Sequence, residues 1–190
     1  MALLNIDNIK KLGQQEIESV WIKTASKILT EENNETNSQD KFQIFLSHAY
    51  MDSDIILGLK RKFEQFDYSV YVDWVEDKHL RSEKTTKETA ITLKRRMKNC
   101  ESLLFAVTDN YSSSKWMPWE CGYFDGIKDR VAICPVLKDE EKYAFAGQEY
   151  LGMYPYLSED EDKLWIHTSI LEYVSFDRWL LGFNPKKRNV

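Results

Sequence analysis

The sequence predicts an α/β fold, a doubly wound parallel sheet with helices on both of its faces. The chain has 190 residues, 43% of them hydrophobic, which is enough to form the core of one domain. Short apolar runs typical of buried strands alternate, about five times, with segments of helical periodicity. Parallel strands need crossover connections, and the intervening helices supply them.

Residues 1–40 predict a helical extension that ends in a polar linker. The apolar residues of this segment are spaced to lie loosely along one side of a helix: Leu12, Ile17, Val20, Trp21 and Ile28. Residues 31–40 (EENNETNSQD) are entirely polar, which is typical of a linker. The extension is either a surface helix packed on the main domain or an element that binds another copy or a partner, and the sequence leaves both open.

The main domain is predicted over residues 41–182. It begins with a nearly unbroken apolar run, Phe42–Leu46, that fits a strand buried on both faces. Asp52 or Ser53 is then expected to cap a helix with apolar residues along one face. The short apolar run Val70–Val72 is the second predicted strand.

The rest of the domain repeats this pattern. Thr85 and Glu88 have the spacing of a capping box and begin a second helix, which extends to about Cys100. The remaining strands are predicted at Ser102–Val107, Val131–Leu137 and Leu164–Ile166. Two further helices are predicted, over residues 115–127 and within 138–162. Ser169 and Glu172 have capping spacing and begin the final helix, which extends through Leu180. A basic tail follows over 183–190.

Composition excludes several classes of protein. No run approaches the roughly 18 apolar residues of a membrane span, and the first residues lack the layout of a signal peptide, so we expect a cytoplasmic protein. A net charge of −5 argues against binding to nucleic acid or to a membrane surface. The three cysteines lack metal-ligand spacing and the three histidines are scattered, so we expect neither a disulfide framework nor a metal site. Neither the glycine-rich phosphate-binding motifs nor the GxSxG motif of hydrolases occurs.

In a doubly wound sheet, ligands bind beyond the carboxyl ends of the strands, where the strand order reverses. The first predicted strand is followed by Ser47, His48 and Ala49. These residues offer hydrogen bonds and let a ligand approach the backbone, but they equally fit a plain strand end. Asp73 and Trp74 follow the second strand. The charged stretch after them, residues 75–84, is either a lid or contact surface or an ordinary solvated connection.

The segment after the third strand is the most informative. It opens a helix, with Pro118 suited to the first turn because proline lacks an amide hydrogen. Trp116 and Glu120 are four residues apart and share one face of that helix. An indole beside a carboxylate can hold a planar cationic ring. Alternatively, the tryptophan belongs to the core and the glutamate interacts with the helix dipole.

Three motifs together resemble TIR domains, and most closely the bacterial TIR domains of antiphage defence systems such as Thoeris. They are Phe45–Ala49 (FLSHA), Val70–Asp73 (VYVD) and Ser114–Glu120 (SKWMPWE), and Trp116 and Glu120 match the WxxxE motif of the family. The resemblance covers about residues 41–182. It implies a flavodoxin-like sheet of five parallel strands in the order 2-1-3-4-5, which brings Ser47 and Glu120 to one crevice. Residues 75–84 would be the BB loop, which in relatives mediates self-association and gates the site.

Many bacterial and plant members of this family cleave NAD+ between nicotinamide and ribose, and the resemblance implies this activity here. Glu120 would be the catalytic residue that stabilises an oxocarbenium-like ribose. The implied substrate-binding residues are Ser47, His48, Ala49, Asp73, Trp74 and Trp116. NAD+ is a substrate, no metal or other cofactor is required, and a cyclic or otherwise modified ADP-ribose would signal to a downstream effector. The alternative is a noncatalytic scaffold that binds other TIR domains.

Overall fold

A mixed sheet forms the centre of the chain in the computed structural model, which describes residues 1–19, 23–37, 39–73, 87–138, 149–160 and 162–187. Within those ranges the strands are β1 (Leu4–Asn5), β2 (Phe42–Ser47), β3 (Val70–Tyr71), β4 (Cys100–Val107), β5 (Val131–Leu137), β6 (Tyr156–Glu159), β7 (Leu164–Ser169), β8 (Glu172–Ser175) and β9 (Lys186–Lys187). The α-helices of the same ranges are α1 (Ile6–Ser19), α2 (Ala25–Glu35), α3 (Ser53–Gln65), α4 (Lys87–Lys98), α5 (Trp116–Lys128) and α6 (Phe176–Leu180).

In the described part of the main domain five strands run parallel, in the order β3-β2-β4-β5-β6. Counted along the main domain these are strands 2-1-3-4-5, so the predicted α/β class and strand order are confirmed. The order reverses at β2, where Ile44 pairs with Val70 of β3 on one side and with Ser102 of β4 on the other. The carboxyl ends of β2 and β4 therefore meet at the crevice where such sheets bind ligands.

The last part of the sheet is antiparallel, which corrects two predictions. The fifth parallel strand is β6, whereas the apolar run Leu164–Ile166, predicted for that position, lies in β7 and pairs antiparallel with β6. Only residues 160–163 connect these two strands, too few for the crossover that a parallel pair needs. The final helix begins at Phe176 and not near Ser169, because Ser169 pairs with Glu172 across the hairpin of β7 and β8.

The predicted basic tail contains a short strand. Lys186 and Lys187 form β9, which pairs antiparallel with β8 at the border of the sheet. Both lysine side chains are exposed. Arg188, the third basic residue of the tail, lies outside the described residues.

Helices cover both faces of the sheet, and side-chain alternation along the strands separates the two layers. Ile44 and Leu46 of β2 pack on the side of α1, α2 and α3, whereas Phe45 packs on the side of α4 and α5. Ser47, two residues after Phe45, therefore lies on the side of α4 and α5. None of the helices in the described ranges is long and apolar enough to cross a membrane.

The N-terminal extension is packed into the core of the main domain. β1 joins the sheet beside β5, and Leu4, Ile9 and Leu29 are each only 1% exposed. The helices α1 and α3 approach so closely that a Cβ atom on Gly58 would lie 1.9 Å from the carbonyl oxygen of Ile9. The structure thus shows the packed form of this extension, while its association with another copy stays a prediction.

The polar linker predicted over residues 31–40 is wrong for its first half, because α2 continues to Glu35. Two acidic residues of the N-terminal extension pair with the same arginine. Glu32 accepts a hydrogen bond from Arg61 of α3 at 2.5 Å, and Glu16 of α1 accepts one from the same guanidinium at 3.0 Å. Burial acts to raise the pKa of Glu32, but hydrogen bonds from Arg61 and Lys60 outweigh burial and lower this pKa. Arg61 therefore ties three helices together.

Candidate active site

Glu120 lies beside Ser47 at the carboxyl end of β2, the edge at which such sheets bind ligands. The residue is 6% exposed, and the Ser47 hydroxyl donates a hydrogen bond to its Oε2 at 2.6 Å. Ser47 is the last residue of β2 and only 1% exposed. The structure therefore brings together two predicted site residues that are 73 positions apart in the chain.

The start of α5 positions Glu120. Ser114 Oγ accepts hydrogen bonds from the backbone amides of Trp116 and Met117, each at 3.3 Å, and thereby holds the first turn. Pro118 lies in that turn, as predicted. Amides of the first turn have no carbonyl acceptor within the helix, so the missing amide hydrogen of proline costs no hydrogen bond there. Met117 and Glu120 both belong to the buried face of the helix, which packs on the sheet.

His48 and Ala49 follow Ser47 and are also buried. His48 is 5% exposed, and its Nδ1 lies 3.0 Å from the carbonyl oxygen of Leu46. A carbonyl oxygen can only accept, so Nδ1 carries the hydrogen in this contact. Ala49 is 1% exposed and belongs to the core on the side of α4 and α5. A role of these two residues in substrate binding stays a prediction.

Asp73 follows β3 and is partly exposed. The hydroxyl of Tyr71 lies 3.4 Å from its Oδ1. Burial, together with the charge of Asp73, raises the pKa of Tyr71, so the tyrosine keeps its proton and donates. Because β3 borders β2, Asp73 lies at the same edge of the sheet as Ser47. The predicted site residue Trp74 and the predicted BB loop, residues 75–84, lie outside the described residues.

Trp116 is partly exposed and belongs to a row of aromatic rings along α5. Its ring meets that of Trp119 edge to face, with 5.2 Å between the centroids and 87° between the planes. Trp119 in turn stacks on Tyr123 at 5.6 Å and 15°. Trp116 thus lies at the margin of the core, where one side of its ring packs on the protein and the rest faces outward.

Asp52 is a contributor to the site that sequence patterns did not reveal. Predicted as a helix cap, it makes no capping hydrogen bond through its side chain. The residue is 4% exposed, and its carboxylate accepts hydrogen bonds from Thr108 Oγ1 at 2.5 Å and from Asn110 Nδ2 at 2.7 Å. Asp52 therefore ties the loop after β2 to the loop after β4. The sequence features that could have predicted this contact are the carboxylate after β2 and the Thr-x-Asn triplet after the neighbouring strand β4.

Cys121 is adjacent to Glu120 but is not suited to act as a nucleophile. Its side chain is buried, and burial raises the pKa of the thiol to about 11. A thiol with this pKa stays protonated near neutral pH, whereas the reactive form is the thiolate. The chemistry of the crevice therefore centres on the carboxylate.

A carboxylate fixed by a hydroxyl group in a buried crevice is suited to stabilise positive charge. The Ser47 hydrogen bond restricts the orientation of the Glu120 carboxylate before any ligand enters. A preoriented charge in a poorly hydrated site acts more strongly on a developing opposite charge than the same group in water. The arrangement fits a reaction whose transition state carries a cation.

Sequence comparison relates the chain to known proteins. No family model matches the chain. A Bacillus cereus (strain MSX-D12) protein named "Probable 3' cyclic ADP-D-ribose synthase ThsB'" is 48% identical over 163 residues, which cover 82% of this chain and 84% of that protein. A Cytobacillus dafuensis protein named "Putative cyclic ADP-D-ribose synthase TIR2" is 30% identical over 110 residues, which cover 57% of this chain and 29% of that protein. The first similarity extends over most of both proteins, and the chain therefore belongs to the Thoeris-type TIR family of antiphage defence proteins.

Proposed function

We propose that this chain cleaves NAD+ at the bond between nicotinamide and ribose and closes the remaining ADP-ribose into a cyclic signal. The observation that carries the proposal is the buried Glu120 carboxylate, held by the Ser47 hydroxyl at 2.6 Å in the crevice at the end of β2. Similarity to two proteins named as cyclic ADP-D-ribose synthases supports the choice of reaction.

The reaction suits a carboxylate because the charge to be stabilised is positive. When the bond between C1′ of ribose and the nicotinamide nitrogen breaks, nicotinamide takes the bonding electron pair and leaves as a neutral ring. The ribose is left as an oxocarbenium-like cation, as in glycoside hydrolysis. Glu120 lowers the energy of this cation by electrostatic attraction. A hydroxyl group of the adenosine half then bonds to C1′ and gives up its proton, whereas attack by water yields linear ADP-ribose.

The other predicted residues have supporting roles in this proposal. Ser47 keeps the carboxylate aimed at the crevice, and His48, Asp73 and Trp116 contact the nicotinamide and its ribose. The leaving ring departs from a cationic precursor without acid assistance, so the step requires neither a metal ion nor a redox cofactor. The proposal includes a cytoplasmic location, a neighbouring chain at the site and an effector that binds the cyclic product.

Glu120→Gln tests the proposal, because it keeps the size of the side chain and an oxygen that accepts from Ser47 but removes the negative charge. Glu101→Gln, at an exposed position near the amino end of β4, is the matched control. We expect nicotinamide release, followed by chromatography, to fall by at least about 100-fold in Glu120→Gln and to stay at the wild-type rate in Glu101→Gln.

Mass spectrometry of the wild-type product distinguishes the two fates of the ribose cation. A cyclic product is lighter than linear ADP-ribose by one water molecule. Equal nicotinamide release by the wild type and Glu120→Gln would refute the catalytic role and favour the noncatalytic scaffold. A purely linear product would refute cyclisation and leave the cleavage step in place.

A further inference from the structure

A cleft of about 500 Å³ lies between α4 and α5, lined by Ala90, Lys94, Lys115, Trp116 and Trp119. We propose that this cleft binds the adenine and phosphate end of the dinucleotide, an inference that rests on the proposed function. Bond cleavage occurs at the nicotinamide end of the same molecule. The cleft therefore determines how tightly and how selectively the substrate binds, and takes no part in breaking the bond.

The first argument is the aromatic surface of the cleft. Trp116 and Trp119 form two of its walls, nearly perpendicular to each other at 87°. Trp119 also stacks on Tyr123, which restricts the movement of its ring. Rings that are already fixed by their neighbours bind a flat base by stacking with little further loss of freedom. A purine ring is the ligand group that matches such walls.

The second argument is the positive charge at the cleft, although the chain as a whole has a net charge of −5. Lys94 and Lys115 line the cleft from α4 and from the start of α5, and both are exposed. The Lys94 Nζ lies 5.3 Å from the centroid of the Tyr123 ring, which keeps the ammonium beside the aromatic row. Ammonium groups bind phosphate oxygens through charge-assisted hydrogen bonds. Aromatic rings and cations side by side fit an anionic nucleotide.

The third argument is the position of Trp116 between the cleft and the crevice. At 3.6 residues per turn, Trp119 lies about 60° to one side of Trp116 around α5, and Glu120 lies about 40° to the other. Trp116 thus lines the cleft and lies between Trp119 and Glu120 around the helix. A dinucleotide with its nicotinamide ribose at Glu120 extends past Trp116 toward Trp119 and Lys94.

AMP tests the cleft without catalysis, because it carries no bond to nicotinamide. Its affinity is measured by calorimetry for the wild type, Trp119→Leu, Lys94→Gln and Lys98→Gln. The last variant is the matched control, since Lys98 is an exposed lysine of α4 one turn away that does not line the cleft. We expect at least fivefold weaker binding to Trp119→Leu and Lys94→Gln, and wild-type affinity for Lys98→Gln. Equal affinity in all four proteins would overturn the proposal.

A further variant and two further measurements separate stacking from folding and from self-association. Trp119→Phe keeps an aromatic ring and is expected to restore most of the AMP affinity lost in Trp119→Leu. Thermal unfolding of each variant shows whether the fold is intact, and Lys94→Gln tests the site even where Trp119→Leu is unstable. A changed molecular mass in solution with unchanged AMP affinity would assign the cleft to a contact with a second copy and overturn the proposal.

Turnover of NAD+ separates this proposal from the proposed function. In Trp119→Leu and Lys94→Gln, KM for NAD+ is expected to rise by the same factor as AMP affinity falls, with kcat within twofold of the wild type. A wild type that binds AMP in the cleft but releases no nicotinamide would refute the proposed function and leave the cleft as a nucleotide site. Nicotinamide release with unchanged KM and AMP affinity in the variants would refute the cleft and leave the function.

Discussion

Replacing Ser47 by alanine would remove one hydrogen bond at the Glu120 carboxylate, the proposed catalytic group, and leave the surrounding backbone unchanged. Ser47 is 1% exposed, and its hydroxyl donates to Glu120 Oε2 at 2.6 Å. A hydrogen bond to a charged group contributes about 1.5–3 kcal/mol. If this energy keeps the carboxylate oriented toward the ribose, kcat falls about 10- to 150-fold, since about 1.36 kcal/mol corresponds to a factor of ten.

Ser102→Ala is the control for this experiment. Ser102 is fully buried in β4, and its hydroxyl donates to the carbonyl oxygen of Gln43 at 2.7 Å, near the amino end of the strand. Nicotinamide release at saturating NAD+ gives kcat, and urea unfolding gives the free energy of unfolding. Ser47→Ala is expected to lose about 1.5–3 kcal/mol of stability and Ser102→Ala about 0.5–1.5 kcal/mol, but only Ser47→Ala loses activity. The reasoning is refuted if Ser47→Ala keeps kcat within twofold of the wild type, or if Ser102→Ala loses as much.

Three other contacts lead to measurable changes in stability. Asp52→Ala removes the acceptor of Thr108, and we expect urea titration to show a loss of about 2–4 kcal/mol; an unchanged midpoint would contradict its bridging role. Gly58→Ala forces a Cβ atom against the carbonyl oxygen of Ile9, so α1 must move, at a cost of about 1–3 kcal/mol in the same assay; no loss would show that α1 and α3 separate freely. Burial lowers the pKa of His167 in β7, so the folded state favours the neutral ring. The free energy of unfolding is therefore higher above the ordinary histidine pKa of about 6.5 and decreases as pH falls below it. His167→Gln is therefore expected to flatten the decline in thermal midpoint between about pH 7 and pH 5, and an unaltered decline would assign it to other groups.

The meeting of Ser47 and Glu120 is predictable from the sequence. Ser47 follows the apolar run Phe42–Leu46, and Glu120 lies in the helix after the loop that follows Ser102–Val107. The TIR resemblance supplies the strand order that makes these two runs neighbours. Parallel strands then bring both carboxyl ends to one edge of the sheet. Local periodicity, the strand order that the resemblance implies and one topological rule together locate this part of the site.

The role of Asp52 is not predictable in the same way. An aspartate directly before a helix is by default an N-cap, because its carboxylate can accept from the first amides of the helix. Whether the side chain turns to its own helix or to a neighbouring loop depends on contacts made after the sheet has formed. Here the partner, Thr108, is 56 positions away and belongs to another loop.

The position of the fifth parallel strand is hidden for a different reason. β6 is short, contains polar residues and pairs with β5 through Ile133 and Tyr156 alone, whereas Leu164–Ile166 has the stronger apolar pattern. The direction of pairing follows from the length of the connection, which is known only once both strands have been located. The polar residues at the end of α2 have the composition of a linker. The partner of Glu32, Arg61, lies on a helix distant in sequence, so local patterns do not reveal that this segment is ordered.

The two lysines of β9 bear on how the molecule behaves at high concentration. An edge strand exposes unpaired amide and carbonyl groups, to which a strand of another molecule can add. The two adjacent ammonium groups repel an approaching copy that carries the same pair. A strand of two residues also offers few backbone groups with which another strand can pair. This border of the sheet is thereby protected against the strand-by-strand growth that leads to amyloid-like aggregates.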